Sequence, residues 1–238
     1  MEEVELEFDE PSHTYRYKGN IVSGVTSCIS HIPEELKFNQ HFIWKTELGT
    51  KVHHVCEAIN VTGVRPRLED LHEDLRPYVD AYCKFLDNAG FTIHHAEKRL
   101  FSRRHMFAGT ADLIGVDCYG KRGIFDIKTV TTLTPPVALQ LAAYKMAWNE
   151  WAKPGEEVES RWAIQLCPDG TYFLMQYTDP FDERVFVCKK IAYEWDKRNG
   201  MLKGGNGNGN NGNNGSTEES NGSGDGSGPT LGDRPSYL

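Results

Sequence analysis

Asp112, Asp126 and Lys128 are side chains of the kind that hold a hard cation and work on a water molecule. Asp112 lies in Met106-Phe-Ala-Gly-Thr-Ala-Asp-Leu-Ile-Gly-Val116, an apolar run of the sort a buried strand shows. Asp126 and Lys128 lie in a second such run, Gly123 to Val130. Side chains two apart on a strand point to one face, roughly 7 Å apart. Asp126 and Lys128 therefore project together, while Phe125 and Ile127 face apolar packing. Tyr119-Gly-Lys-Arg122 reads as the turn of an antiparallel hairpin, which brings Asp112 near Asp126. Burying an ion without a partner is costly, so charges on apolar strands need a reason. A half-exposed hairpin with a salt bridge is one reason. A divalent-cation site is the other: Mg²⁺ commonly takes one or two protein carboxylates and keeps waters that a substrate phosphate can replace. Lys128 would then orient or activate the attacking water, or stabilise charge developing on the phosphate.

Further elements stand in order around these residues. Gly49-Thr50-Lys-Val-His53 precedes them and Gln140-x-x-x-Tyr144 follows. The whole set resembles the PD-(D/E)xK nuclease superfamily. Asp112 matches the Asp of its first strand, and Asp126-Ile127-Lys128 its Asp/Glu-x-Lys. The Gly-Thr-x-x-His and Gln-x-x-x-Tyr elements are similar to those of the RecB-like branch. His13-x-Tyr15 and Ser23-Gly-Val25-Thr26 resemble the opening of phage-type and mitochondrial genome-maintenance exonucleases, with Gly24 inserted. The resemblance covers about Gly19 to Asn199.

That resemblance implies an α/β fold, with a mixed central β-sheet flanked by helices, like the restriction-endonuclease core. It implies a Mg²⁺-dependent DNA exonuclease, with Mn²⁺ substituting, in phage-like recombination, repair or DNA processing. Asp112, Asp126 and Lys128 would be catalytic. His53, Asp112, Asp126 and the Ile127 carbonyl would hold the metal. Gln140 and Tyr144 would position DNA, Glu57 would fix the imidazole of His53, and Glu97 would join the metal's surroundings. The alternatives are a catalytically silent nuclease-fold module that grips DNA or a partner, a structure-specific endonuclease, and an unrelated metal hydrolase of small phosphoesters. Some RecB-like nucleases carry an iron–sulfur cluster held by one early Cys and a tight late trio. Here the late part of the chain offers only Cys167 and Cys188, so no iron–sulfur cluster is expected.

The elements that must position these residues are also legible. Val4, Leu6, Phe8, Tyr15 and Tyr17 alternate toward the turn Gly19-Asn20, which predicts a small β-meander. Thr26 or Ser27 is suited to cap a short helix. Phe38 to Val61 reads as helix with a break near Gly49-Thr50, and His53 and Glu57, four apart, share a face. Each also has a plain reading, a packed or solvated His and a surface acid. Glu69 to Asn88 reads as a second helix ending at Gly90, and Phe91 to Phe101 as a strand carrying Glu97. A cross-strand salt bridge is the alternative role for Glu97. Pro135-Pro136 opens a helix from Val137 to Trp151, on which Gln140 and Tyr144 share a face; a buried helix-on-sheet Tyr is the plain reading there. Pro168-Asp-Gly170 turns the strands Trp162–Cys167 and Tyr172–Tyr177 into a hairpin, and Asp182 to Asn199 is a last helix.

The 238 residues are 39% apolar and 25% charged, which suits one soluble domain with a large core. No apolar run is long enough for a membrane span, and the acidic Met-Glu-Glu-Val-Glu start is unlike a signal peptide. A cytoplasmic location follows, that of the bacterial host if the gene is a phage's. The six cysteines are scattered and read as free thiols. A net charge of −8 does not exclude nucleic acid, since a groove needs only local positive potential. Lys98, Arg99, Arg103, Arg104 and His105 supply either that potential or an ordinary solvated turn. Tyr15, Tyr17 and Trp44 are either base-stacking aromatics or core. Residues 1–202 form the expected nuclease domain. Residues 203–238, rich in Gly, Asn and Ser, are expected to be a disordered tail. The tail is either a tether for a partner such as a single-strand-annealing or single-strand-binding protein, or a solubilising end.

Overall fold

A computed structural model of the chain describes residues 5–30 and 38–202. Val4 of the expected meander and the tail 203–238 lie outside the described residues. The chain begins with three short antiparallel strands, β1 (Leu6–Asp9), β2 (Thr14–Tyr17) and β3 (Asn20–Gly24). Lys18 and Gly19 turn β2 into β3, both with positive φ (49° and 76°), the conformation a two-residue hairpin loop requires. Helix α1 (Val25–Ile29) follows, then α2 (Gln40–Thr62), a single 3₁₀ turn (Leu68–Asp70) and α3 (Arg76–Asn88). Strands β4 (Thr92–Ser102), β5 (Phe107–Val116) and β6 (Arg122–Lys128) form the central meander. Helix α4 (Pro136–Asn149), strands β7 (Ser160–Leu166) and β8 (Tyr172–Gln176), and helix α5 (Phe181–Arg198) complete the domain.

The pairing around β5 decides where the site can be. β4 lies antiparallel along one whole edge of β5, from Ser102 opposite Phe107 to Thr92 opposite Val116. The other edge is shared. β3 runs parallel to its start, Ser23 beside Phe107 and Gly24 beside Ala108. β6 runs antiparallel to its end, from Leu113 opposite Phe125 to Val116 opposite Arg122. Gly109 to Asp112 therefore have no strand partner on that edge. β6 continues into a parallel pair with β7, joined through α4 as a parallel connection requires, and β7 pairs antiparallel with β8. The result is one mixed sheet with helices on both faces, the α/β architecture expected. Helices α1, α4 and α5 pack with Phe107, Ile114, Ile124 and Ala163 in one apolar layer. Helices α2 and α3 pack with Leu113, Phe125, Ile127 and Ile164 in the other.

Three local expectations need correction. Helix α2 runs unbroken through Gly49-Thr50; the Thr50 hydroxyl donates to the Thr46 carbonyl, a bond the helix itself offers. The expected helix from Glu69 to Asn88 begins only at Arg76, because Pro77 is suited to the first turn of a helix and not to its interior. Helix α1 is entered through Gly24, with no side-chain cap from Thr26 or Ser27.

Candidate active site

Asp112 stands where β5 and β6 part. Their backbone ladder stops at Leu113 and Phe125, and beyond it Oδ2 of Asp112 accepts the Ile127 N–H at 2.7 Å. A side-chain carboxylate thus replaces a backbone carbonyl as the partner of that amide. Gly109, at the other end of the unpaired stretch, has a steric reason to be glycine. A Cβ there would lie 2.6 Å from Cε1 of Tyr144 and 3.1 Å from Cγ2 of Val25. The bare backbone lets α4 and α1 close over the gap.

Glu97 reaches the same place from β4. Ala96 opposes Leu113 and Lys98 opposes Ala111, so Glu97 faces Asp112. Its φ is +47°, a left-handed conformation inside a strand that costs a bulky L-residue about 1–3 kcal/mol. The pleat changes hand here. Leu100 and Gly109 face α4, whereas Ala96 and Leu113, four residues along each strand, pack with the α2 and α3 layer. Strict alternation would keep them on one face.

His53 comes from α2, its Nδ1 3.5 Å from Oδ2 of Asp112. Gly49, one turn earlier, lets the helix approach, because a Cβ there would sit 3.1 Å from Oγ1 of Thr129, just after Lys128. The ligand atoms of His53, Glu97 and Asp112 all lie within 4.8 Å of one another. Burial pushes the Glu97 carboxyl up to about 8, and the carboxylates of Asp112, Glu57 and Asp126 add to the push. Two carboxylates facing each other here must share a proton or a cation. An imidazole nitrogen and two carboxylate oxygens suit a divalent metal, so the residues fit the cation implied by the sequence.

Asp126 and Lys128 sit beside this trio. Asp126 is fully buried, which raises its pKa, and Lys128 opposes that rise. The Lys128 ammonium lies 2.5 Å from Oδ2 as an ion pair, and Oδ1 has no hydrogen-bond partner. Burial works against the charge on Lys128, but Asp126 and Asp112 outweigh it and hold the ammonium protonated. A buried carboxylate with unfilled acceptor capacity next to a three-ligand cluster again suits a cation.

The fold thus brings His53 and Asp112 together, with Glu97 beside them. Asp126 is held by Lys128 and stands next to the three. Ile127 enters through its N–H, with its side chain in the core. Gln140 donates from Nε2 to the hydroxyl of Tyr144 at 3.0 Å, so the two engage each other. Burial holds the Tyr144 phenol well above its ordinary pKa, with Asp126 the next cause. Glu57 is half-buried one turn beyond His53, and His54 is exposed. Tyr15 is core, with its hydroxyl hydrogen-bonded to Thr110 at 2.9 Å, so it cannot stack on a base. Tyr17 stacks on Phe101, while Trp44 is exposed beside His41. Arg103 and Arg104 are exposed on the β4–β5 turn, and Arg99 lies over the ring of Phe8. Sequence reasoning missed a cavity of about 190 Å³ beside Gly109 and Thr110 of β5, lined also by His13, Tyr15, the start of α1, Glu97, Asp112, Gln140 and Tyr144. Gly109 was the available signal for it.

No protein-family profile and no curated protein matches the chain. Among solved structures it is similar to SSO0001, with a TM-score of 0.36, 16% identity, and 72% of this chain and 74% of that chain covered. It is also similar to LHK-Exo, an alkaline exonuclease from Laribacter hongkongensis, with a TM-score of 0.36, 11% identity, and 76% of this chain and 93% of that chain covered. The same exonuclease in complex with dAMP gives a TM-score of 0.34 at the same identity and coverage.

Proposed function

We propose that this chain is a divalent-metal-dependent deoxyribonuclease that hydrolyses phosphodiester bonds from DNA ends, an exonuclease of the RecB-like PD-(D/E)xK kind. The observation that carries the reading is the meeting of His53, Glu97 and Asp112 from three separate elements, beside the buried Asp126–Lys128 pair. His53, Glu97 and Asp112 would hold a Mg²⁺ ion, and Asp126 and the Ile127 carbonyl would add to its ligands. When bound, the ion supplies positive charge for a phosphate oxygen and lowers the pKa of a bound water. Lys128, kept charged, presents its ammonium where charge builds on the phosphate, and Asp126 holds it there. Gln140 and Tyr144 form a rigid pair at the wall of the site, against which a strand can be placed. Ends rather than sequences are the expected substrate feature, since among the described residues no element carries side chains matched to base edges in a groove.

The test is incubation of end-labelled linear DNA, single- and double-stranded, with Mg²⁺ or with EDTA. Progressive release of short products with Mg²⁺, absent with EDTA, is the expected result. Closed circular DNA of the same sequence should resist. Nicked circles would indicate an endonuclease, and DNA bound but uncut would indicate a binding module. The tail 203–238 is proposed to dock a single-strand-annealing or single-strand-binding protein.

A further inference from the structure

Among the described residues three strands of the sheet have a partner on one edge only: β1, β4 and β8. A free edge offers unpaired N–H and C=O groups to any passing strand, and soluble chains block it with charges, proline or bulges. β1 carries Glu7 and Asp9, both exposed. β4 carries Lys98 and Arg99 and slips register between Ile93 and His95. β8 has none of these devices. It reads Tyr172-Phe-Leu-Met-Gln176 and pairs with β7 in unbroken register. Tyr172 and Leu174 pack into the layer of α2 and α3. Phe173 and Met175 turn to the opposite face, beside Gln165 and Ala163, and are 63% and 50% exposed. Apolar side chains thus meet solvent on a strand whose backbone edge is also open. β8 itself offers no cation to a nucleic-acid phosphate. The complement of a free backbone edge is another strand.

The order of side chains on β8 selects that strand. Counted outward from Leu174, Phe173 mirrors Met175 and Tyr172 mirrors Gln176. A two-fold axis through Leu174, normal to the sheet, would lay β8 antiparallel on β8 of a second copy, a self-complementary contact. Phe173 of each copy would face Met175 of the other, an aromatic–thioether pair made twice. Within the strand no like charges would oppose each other, which matters for two chains of net charge −8.

We infer that the edge of β8 is a dimer interface, through which two copies of this chain join their sheets into one. The inference is independent of the nuclease reading. Pairing consumes the edge, so assembly stops at two. In this register Lys128, Gln165 and Phe173 of one copy fall in line with Met175, Ala163 and Asp126 of the other. The two Asp126–Lys128 pairs therefore project from one face of the joined sheet, five strand spacings or roughly 24 Å apart. The shared edge is short, about 17 Å, so a dissociation constant on the order of 10 µM is expected.

Sedimentation velocity of the full chain from about 1 to about 200 µM tests it, with amide exchange followed at both ends of that range. A monomer–dimer equilibrium is expected, with β8 gaining protection only at the higher concentration. Phe173→Lys gives β8 the kind of charge that β1 and β4 already carry, and should weaken dimerisation roughly tenfold. Should that variant melt earlier than wild type, Met175→Lys tests the same pair from its other side. A monomer across the whole range, an assembly larger than two, or a dimer that both variants leave unchanged would overturn the proposal. Protection of β8 that does not depend on concentration would overturn it as well, because the edge would then be covered within a single chain.

Discussion

The two halves of the β5–β6 hairpin are built from the same two strands and do opposite things. From Leu113 to Val116 and from Arg122 to Phe125 the strands pair continuously, and Leu113, Ile114, Ile124 and Phe125 are at most 1% exposed. From Gly109 to Asp112 and from Asp126 to Lys128 the two strands no longer pair with each other, and two carboxylates are buried there beside Ala111 and Ile127, with an ammonium at the rim. In the laddered half β5 is paired on both edges and the side chains supply packing. In the splayed half β5 is left free on one edge, and side chains from β4, α2 and α4 enter the space. The site is thus an interruption in the sheet, held open by Gly109, by the left-handed backbone at Glu97 and by the glycine of α2. The paired half fixes where that interruption falls.

Adjacent residues on β5 should separate the two roles most sharply. Asp112→Asn keeps an acceptor for the Ile127 amide and removes the charge, so Mg²⁺-dependent cleavage should fall roughly 10²–10³-fold with little change in the denaturation midpoint. Leu113→Ala should destabilise the fold by about 2–5 kcal/mol and leave kcat of the folded protein near wild type. Lys128→Ala should lose activity on the scale of Asp112→Asn. Because Asp126 is buried, that variant should also be less stable, whereas Lys128→Met fills the space. A Lys128→Met enzyme as active as wild type would remove Lys128 from the chemistry.

The next effect is on stability against pH. The Glu97 carboxyl titrates near 8 in the folded chain, against an ordinary value of 4.5. Between those values the unfolded state binds fewer protons than the folded state, so metal-free stability falls as pH rises. After allowance for solvent at this partly open site, about 2 kcal/mol should be lost between pH 5 and pH 8. Glu97→Gln should flatten that slope, and Mg²⁺ should restore stability most at the higher pH. Thermal melts at both pH values, with and without Mg²⁺, check this; an unchanged slope in Glu97→Gln would dissociate Glu97 from the trio.

His53→Ala should raise the Mg²⁺ concentration for half-maximal activity about tenfold, with the laddered half intact as read by amide exchange. An unchanged Mg²⁺ titration would return His53 to a packing role. The smallest effect expected is none: removing residues 203–238 should leave cleavage of naked DNA and the melting temperature as they are. Loss of either would make the tail part of the domain.

The order of elements, the strand pair carrying Asp112, Asp126 and Lys128, and the face shared by Gln140 and Tyr144 were all legible in the chain. Apolar runs, turn residues and the periods of 2 and 3.6 are local properties, and they sufficed for fold class and for setting Asp112, Asp126 and Lys128 on neighbouring strands, while His53, Gln140 and Tyr144 were singled out by the family resemblance. The start of α3 was misread because apolar spacing continues upstream of Pro77, where proline's backbone, not the pattern, limits the helix. Local signals could not say that Glu97 would join His53 and Asp112. A strand period assigns Glu97 to one face, and the left-handed φ that redirects it appears only when β4 is held against β5. Nor could they show that β3 and β6 would take different ends of one edge of β5. That division is a matter of which distant strands reach the edge. It alone created the gap in which the carboxylates, the imidazole and the cavity meet.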